Sequence, residues 1–361
     1  MKLGINVHSK NPDIVYVLAC YGAATSGVYK KVARQVNEWK KQGEKVTLIV
    51  ESDRESVSFW HQIDTEAVVV CNTNVFGKWW HRFRIVEIAL KFKPKTIYLR
   101  DIFPIWIPKS DTKVILEVQS SFAREIQMRS RLKAWFFQVI RRFHYRNING
   151  VVYVTEELQK LNELSFQADI PTTVISNGFD TQFTSTLDLP SQLESIGFLF
   201  VGHPNQAWHG LDLIEKLAGS LKECKFYVVG SKLETNTPNL LSFSALSERE
   251  YRMIAQECSV GIGPLAHHRI GMTEACPLKV REYLSMGLPV AIRHVDPDLK
   301  SNHDFVFSIP IDDEPIESFA SDLFEFALKW VGRRVEHTKL LPWNYQAKEL
   351  KRIRFLKSFE S

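Results

Sequence analysis

Apolar residues in this chain fall into short continuous runs that alternate with longer stretches at helical spacing, the pattern of a parallel α/β protein. Residues 14–19 form a run of the buried-strand type. Residues 28–42 follow with Val32, Val36 and Trp39 at helical spacing, Gly43 stops that helix, and residues 46–50 read as the next strand. Further strands are expected at 67–71, 96–99, 113–118 and 150–155. A polar, proline-bearing linker covers 181–194, after which strands are expected at 198–201, 225–230, 260–262 and 288–292.

The densest chemistry lies at 261–290. A short strand ends at Pro264, and a polar loop from Leu265 to Cys276 carries His267, His268, Arg269 and Glu274. Pro277 suits a first helical position, since it needs no donor and its φ is already helical. Gly287 suits a left-handed stop. The helix between them, expected to run about three turns, starts at the carboxyl end of a strand, where α/β sheets bind ligands. Its free N–H groups and Lys279 together form a phosphate site. Lys279 and Glu282 share one face; a surface i,i+3 ion pair is the competing reading.

Two carboxylates with seven residues between them, Glu274 and Glu282, bracket Pro277, Leu278 and Lys279. Tyr283, Leu284, Gly287, Pro289 and Val290 follow. This resembles the E-x7-E region of retaining glycosyltransferases of family 4, whose fold is GT-B: two Rossmann-like domains facing each other across a cleft. The resemblance implies a nucleoside-diphosphate sugar as donor, UDP-sugar or GDP-sugar, and a saccharide or lipid-linked hydroxyl as acceptor. It implies that Glu274 contacts the transferred sugar, Glu282 holds the ribose, and the helix start at Leu278 and Lys279 binds the diphosphate. It also implies retention at the anomeric carbon and a place in polysaccharide or glycolipid assembly.

The same resemblance places other residues. Ser26 and Gly27 take the position of a glycine loop near the donor diphosphate. Residues 174–180 resemble the segment that closes the first domain. Residues 243–251 resemble the turn and helix that read the base. Residues 341–350 resemble a helix that crosses back to the first domain. The domains are expected at 1–180, joined by 341–361, and at 181–340. After the strand at 198–201 come Gly202, His203, His209 and Gly210. The family carries arginine and lysine where His203 and His209 stand; the two imidazoles either donate to phosphate or cap the loop. Arg269 is expected to restore some of the missing charge. Glu117, at the carboxyl end of a first-domain strand, takes the catalytic position where the family's histidine is missing.

Composition narrows the class. The 361 residues are 45% hydrophobic and 24% charged, ordinary for a globular protein. No apolar run is long enough to cross a bilayer, and the start lacks a signal-peptide core. Five scattered cysteines without metal-type spacing point to reduced thiols and a cytoplasmic setting. No G-x-G-x-x-G follows the first strand, which weakens a nicotinamide-dependent oxidoreductase. A sugar-nucleotide epimerase of GT-B fold is the nearer alternative. No essential metal is expected, and no nucleic acid.

Charge is unevenly placed: residues 1–180 hold 26 Lys+Arg against 18 Asp+Glu, the remainder 20 against 23. The excess gathers in two basic aromatic segments, 76–84 and 129–147. In the second, Leu132, Trp135, Phe136, Val139, Ile140 and Phe143 form one stripe. That stripe either packs on the sheet or, with the cations around it, lies on an anionic membrane surface, the inner face in a cytoplasmic protein.

Overall fold

The computed structural model describes residues 11–22, 26–71, 75–103, 105–161, 170–180, 196–202, 206–244, 246–299, 302–311 and 314–360, without the side chains of 75–79. The expected linker at 181–194 and His203 lie outside the described residues. The chain divides into two compact units: Met1–Ser176 with Lys348–Ser361, and Asn177–Ala347.

The first unit contains β1 (Ile14–Ala19), α1 (Gly27–Lys41), β2 (Val46–Ser52), α2 (Val57–Ile63), β3 (Val68–Cys71), α3 (Val75–Leu90), β4 (Thr96–Arg100) and β5 (Lys113–Val118). It continues through α4 (Phe122–Gln127), α5 (Arg131–His144), β6 (Gly150–Tyr153), α6 (Glu156–Leu161) and β7 (Thr172–Val174). Its seven strands lie in the order β3-β2-β1-β4-β5-β6-β7, all parallel. Strands covered on both faces read as near-continuous apolar runs, and β1 and β2 are buried from Ile14 to Leu18 and from Val46 to Ser52.

The second unit contains α/β elements of the same kind: β8 (Gly197–Val201), α7 (Leu211–Ser220), β9 (Lys225–Val229), β10 (Leu240–Phe243), α8 (Glu248–Glu257), β11 (Val260–Ile262), α9 (Leu278–Ser285), β12 (Val290–Ile292), β13 (Val306–Ser308) and α10 (Ala320–Leu328). Its six parallel strands run β10-β9-β8-β11-β12-β13. The strand order reverses between β8 and β11, and ligands of such sheets bind at the carboxyl ends beside that switch point. Small residues permit close packing there. A Cβ at Gly261 would sit 2.4 Å from the Tyr283 ring of α9, and one at Gly202 only 2.3 Å from the Phe200 ring.

Two expectations are corrected. Pro277 is the extended N-cap of α9, with φ −70° and ψ 135°, and the helix has eight residues from Leu278, about two turns rather than three. The segment at 341–350 is not one helix. A 3₁₀ helix, His337–Trp343, precedes α11 (Tyr345–Lys357). Within the second unit Phe179 N–H donates to Trp343 O at 3.0 Å and Tyr345 N–H to Phe179 O at 3.1 Å, so the unit's two ends are paired as a parallel bridge.

Candidate functional site

Three strands of the second unit deliver the site. β8 ends in Gly202, β11 leads through Gly263 into the loop that carries Glu274, and β12 leads to His294. The loop is not free chain. Residues His267–Ile270 form a 3₁₀ turn closed by Gly271 at φ 64°. Val295 N–H donates to Thr273 O at 2.8 Å and Ala275 N–H to Val295 O at 3.0 Å, which fixes Glu274 in a parallel bridge at a half-buried position.

α9 is held from behind. Arg281 is buried and makes two 2.8 Å bonds to Asp296 and one of 3.1 Å to Asp298. Its Nε donates to Asn177 O at 3.0 Å, and its guanidinium lies 4.5 Å from the Phe179 ring. Asn177 Nδ2 donates to Cys276 O at 2.7 Å, and Tyr283 Oη accepts from Val201 N–H at 2.7 Å. With Val280, Arg281, Tyr283, Leu284 and Ser285 buried, Leu278, Lys279 and Glu282 remain the partly exposed residues of the helix.

Lys279 carries the unusual electrostatics. Its Nζ is buried and has no hydrogen-bond partner, and it lies over the face of Phe200, 4.9 Å from the ring centroid. Burial pushes its pKa down to about 7. The competing ion pair with Glu282 is absent; the Glu282 charge is instead felt by the buried Tyr251 of α8, whose hydroxyl is raised first by burial and then by that carboxylate. Two imidazoles lie close by, His267 and His294, with ring centroids 5.5 Å apart. Burial takes each down to about 3, and the Lys279 charge acts on both in the same direction. Nδ1 of His267 has no hydrogen-bond partner. An unpaired ammonium accompanied by two neutral imidazoles and, among the described residues, no carboxylate is the electrostatic complement of an anion.

The helix ends agree. Neither α7 nor α9 has a side-chain cap, and α9 has no acidic residue in its first turn. α8, in the same unit, carries a full capping box from Ser247 and Glu250. Open N-termini present unpaired N–H groups and the positive end of the dipole to a ligand. Gly210 caps α7 at φ 76°, and a Cβ there would lie 3.2 Å from Leu265 and 3.3 Å from Ala266. His209 is half-buried just before it, with its ring 6.5 Å from Phe200.

Other expected site residues have different work. Arg269 makes a bidentate ion pair with Asp212, at 2.8 and 2.6 Å, and donates to Ala207 O at 3.0 Å. It ties the 3₁₀ turn to α7, so its charge is already neutralised and does not replace a missing diphosphate ligand. Glu117 is fully buried in the first unit, 2.9 Å from Lys31 and 3.2 Å from Arg352. Burial alone would raise its pKa, but Lys31, Arg352 and Arg100 bring it down to about 2. It is a core counter-ion that no substrate reaches, and the catalytic role assigned from the sequence is withdrawn. Gly27 opens α1, where Ser26 Oγ accepts from Val28 and Tyr29 N–H at 3.2 and 3.4 Å, so that helix end is already capped.

Sequence reasoning missed His294, Phe200 and the Arg281 clamp. His294 had a readable signal, two residues past the strand at 290–292 and thus at a carboxyl end. The orphaned state of Lys279 had none, because absence of a partner is a property of three-dimensional packing.

Residues 25–183 match the model for Glycosyltransferase Family 4. No curated protein matches the chain by sequence. Among solved structures, a glycosyltransferase from Rickettsia africae is 12% identical with a TM-score of 0.62, covering 97% of this chain and 99% of its own. Sucrose-phosphate synthase from Thermosynechococcus elongatus is 11% identical with a TM-score of 0.66, covering 95% and 98%. Anabaena HepE, in complex with UDP and glucose, is 12% identical with a TM-score of 0.64, covering 96% and 100%. The two parallel sheets and this near end-to-end likeness agree on the fold, GT-B, and residues 25–183 are similar to Glycosyltransferase Family 4.

Proposed function

We propose that the second unit binds a nucleoside-diphosphate sugar, UDP-sugar or GDP-sugar, through its diphosphate at Lys279 and the N-terminus of α9, and that the sugar passes to a hydroxyl acceptor. The observation that carries this is the buried, unpartnered Lys279 ammonium, because a charge left unpaired in a folded interior is costly unless a ligand completes it. A bound diphosphate supplies that counter-charge, and Lys279 with the helix dipole then stabilises the negative charge growing on the leaving group. Doing so without a bound metal requires a cation in the complex, and Lys279, protonated once the diphosphate supplies its counter-charge, is that cation. Glu274, fixed by its backbone bridge to Val295, is assigned to the transferred sugar. Glu282, on the α8 side of α9, is assigned to the ribose. His209 and Gly210, at the open end of α7, complete the phosphate cradle.

Retention at the anomeric carbon, and a place in polysaccharide or glycolipid assembly, follow from the family-4 likeness and belong to this proposal. UDP is favoured as the leaving group by the UDP in the HepE complex. The test is a thermal-shift series with UDP, GDP, ADP and their sugar conjugates on wild type and Glu282→Ala. A ligand at a hundred times its dissociation constant adds about 2.7 kcal/mol of stability. One nucleotide series should shift the wild type and fail with the variant. Absence of a shift with every nucleotide refutes the site. Turnover of donor to a second sugar nucleotide without any acceptor would favour an epimerase instead.

A further inference from the structure

The basic stretch from Arg129 to Arg146 folds in an unexpected orientation. The face of α5 that packs on its own unit is Ala134, Phe137, Arg141 and His144. That face is anchored by polar contacts: Arg141 Nη2 to Asp101 at 2.6 Å and His144 Nδ1 to Ile105 O. At 100° per residue the aromatic stripe lies on the opposite side, and it is exposed: Leu132 75%, Trp135 61%, Phe136 58% and Phe143 62%. A helix that borders a core normally turns its apolar stripe inward. This one turns it out.

Charge surrounds the stripe and all of it has one sign. Arg131 and Arg142 lie along one flank and Lys133 along the other, with Arg129 and Arg146 beyond the ends, and all five are exposed. No Asp or Glu occurs between Glu125 and Glu156. The other basic aromatic segment differs. Arg82 turns in to bond Glu51 at 2.8 Å through two nitrogens, Phe83 packs 5.4 Å from the His144 ring, and Arg84 pairs with Glu87 at 3.4 Å. Its described side chains are mostly spent on the protein itself.

We propose that the outward face of α5 seats in an anionic lipid surface, with Leu132, Trp135, Phe136 and Phe143 inserted at the headgroup boundary and the five cations on the phosphates. Apolar side chains with a strong basic border are what interfacial helices present, and aromatic rings favour that depth. A second copy of the chain does not fit, because a two-fold contact would set five cations against five with no carboxylate between them. The proposal concerns residues of the first unit and stands or falls separately from the sugar-transfer reading. No described helix is long and apolar enough to span a bilayer, so the attachment is from one side.

The test is co-sedimentation of the full chain with vesicles of phosphatidylcholine alone and of phosphatidylcholine mixed with phosphatidylglycerol. Wild type should pellet with the anionic vesicles and not with the neutral ones. Trp135→Ser with Phe136→Ser should reduce partitioning at least tenfold. Arg131→Gln with Arg142→Gln should reduce it about 30-fold at low salt, on the basis of ~1 kcal/mol per cation near the surface. The changed side chains are exposed, so the melting temperature should stay within a degree or so and nucleotide binding should be unchanged. Equal pelleting of the aromatic variant, or none by wild type on anionic vesicles, overturns the proposal. So does a dimer in solution that the aromatic variant dissolves, since the face would then belong to a second copy.

Discussion

Lys31 in the first unit and Lys279 in the second both have a buried ammonium, and their surroundings differ in one respect. Lys31 has the Glu117 carboxylate at 2.9 Å, and around that carboxylate stand Arg352 at 3.2 Å and Arg100 at 4.0 Å. Arg352 Nη1 also donates to Tyr98 Oη at 2.8 Å and its Nε to Glu349 at 2.9 Å; Glu349 in turn accepts from Trp39 Nε1 at 2.8 Å. Every charge there has an opposite charge within 4.0 Å. Lys279 has an aromatic face and two neutral imidazoles. Burial pushes both ammonium groups down; Glu117 opposes it at Lys31, and no charge opposes it at Lys279. A completed network spends its charges on the fold, whereas an incomplete one leaves a charge without a partner. That difference separates the structural carboxylate Glu117 from Lys279, the cation proposed to meet the donor, although both sit where strands and helices meet.

The comparison breaks most visibly at Glu117. Glu117→Leu strands Lys31 and Arg352 without their shared counter-charge and should cost about 3–5 kcal/mol, read as a fall in the denaturation midpoint. The same network sets an acid limit. A carboxyl lowered from 4.5 to about 2 contributes stability that is full above its ordinary pKa and is lost as pH falls toward 2. The Glu117 variant should therefore lose less on acidification than wild type.

Lys279→Met should do the reverse. Removing an unpaired buried ammonium leaves the free protein as stable or more so, while nucleoside-diphosphate affinity falls by about 10- to 100-fold, the worth of a charge-assisted hydrogen bond. Calorimetric titration and a ligand-free melt check both halves. pH sharpens the point without mutation. Because the folded Lys279 pKa lies near 7, below its ordinary 10.5, the ligand-free protein gains stability as pH rises through that window. Donor affinity should weaken over the same range, by up to about tenfold per unit above pH 7, because binding must then take up a proton. The smallest effect is expected at Arg269→Ala. Its exposed pair with Asp212 is worth about 0–1 kcal/mol, and donor affinity should change less than threefold.

Much of the fold was readable from the chain because both sheets are parallel and covered on both faces. Their strands, such as 14–19 and 113–118, are therefore short apolar runs punctuated by Gly and Pro. The unit around Asn177–Ala347 was legible through Glu274, Glu282 and the helix between them. What failed did so for identifiable reasons. Glu117 reads as a site residue because strand carboxyl ends collect both catalytic groups and core ion networks, and only the partners Lys31 and Arg352, the latter 235 positions further on, tell them apart. Arg269 reads as a free cation until Asp212 is seen beside it. The α5 stripe has the period of a core helix, and periodicity alone does not say which side of a helix the core occupies.

The central claim is that Lys279 is a buried cation held for an anionic ligand. Its side-chain amine titrated by NMR, with and without UDP or GDP, tests that directly. The expected result is a free-state pKa near 7 that rises by more than one unit when nucleotide binds. An ordinary value near 10.5 in the free protein, or a depressed value that nucleotide leaves unmoved, would contradict it.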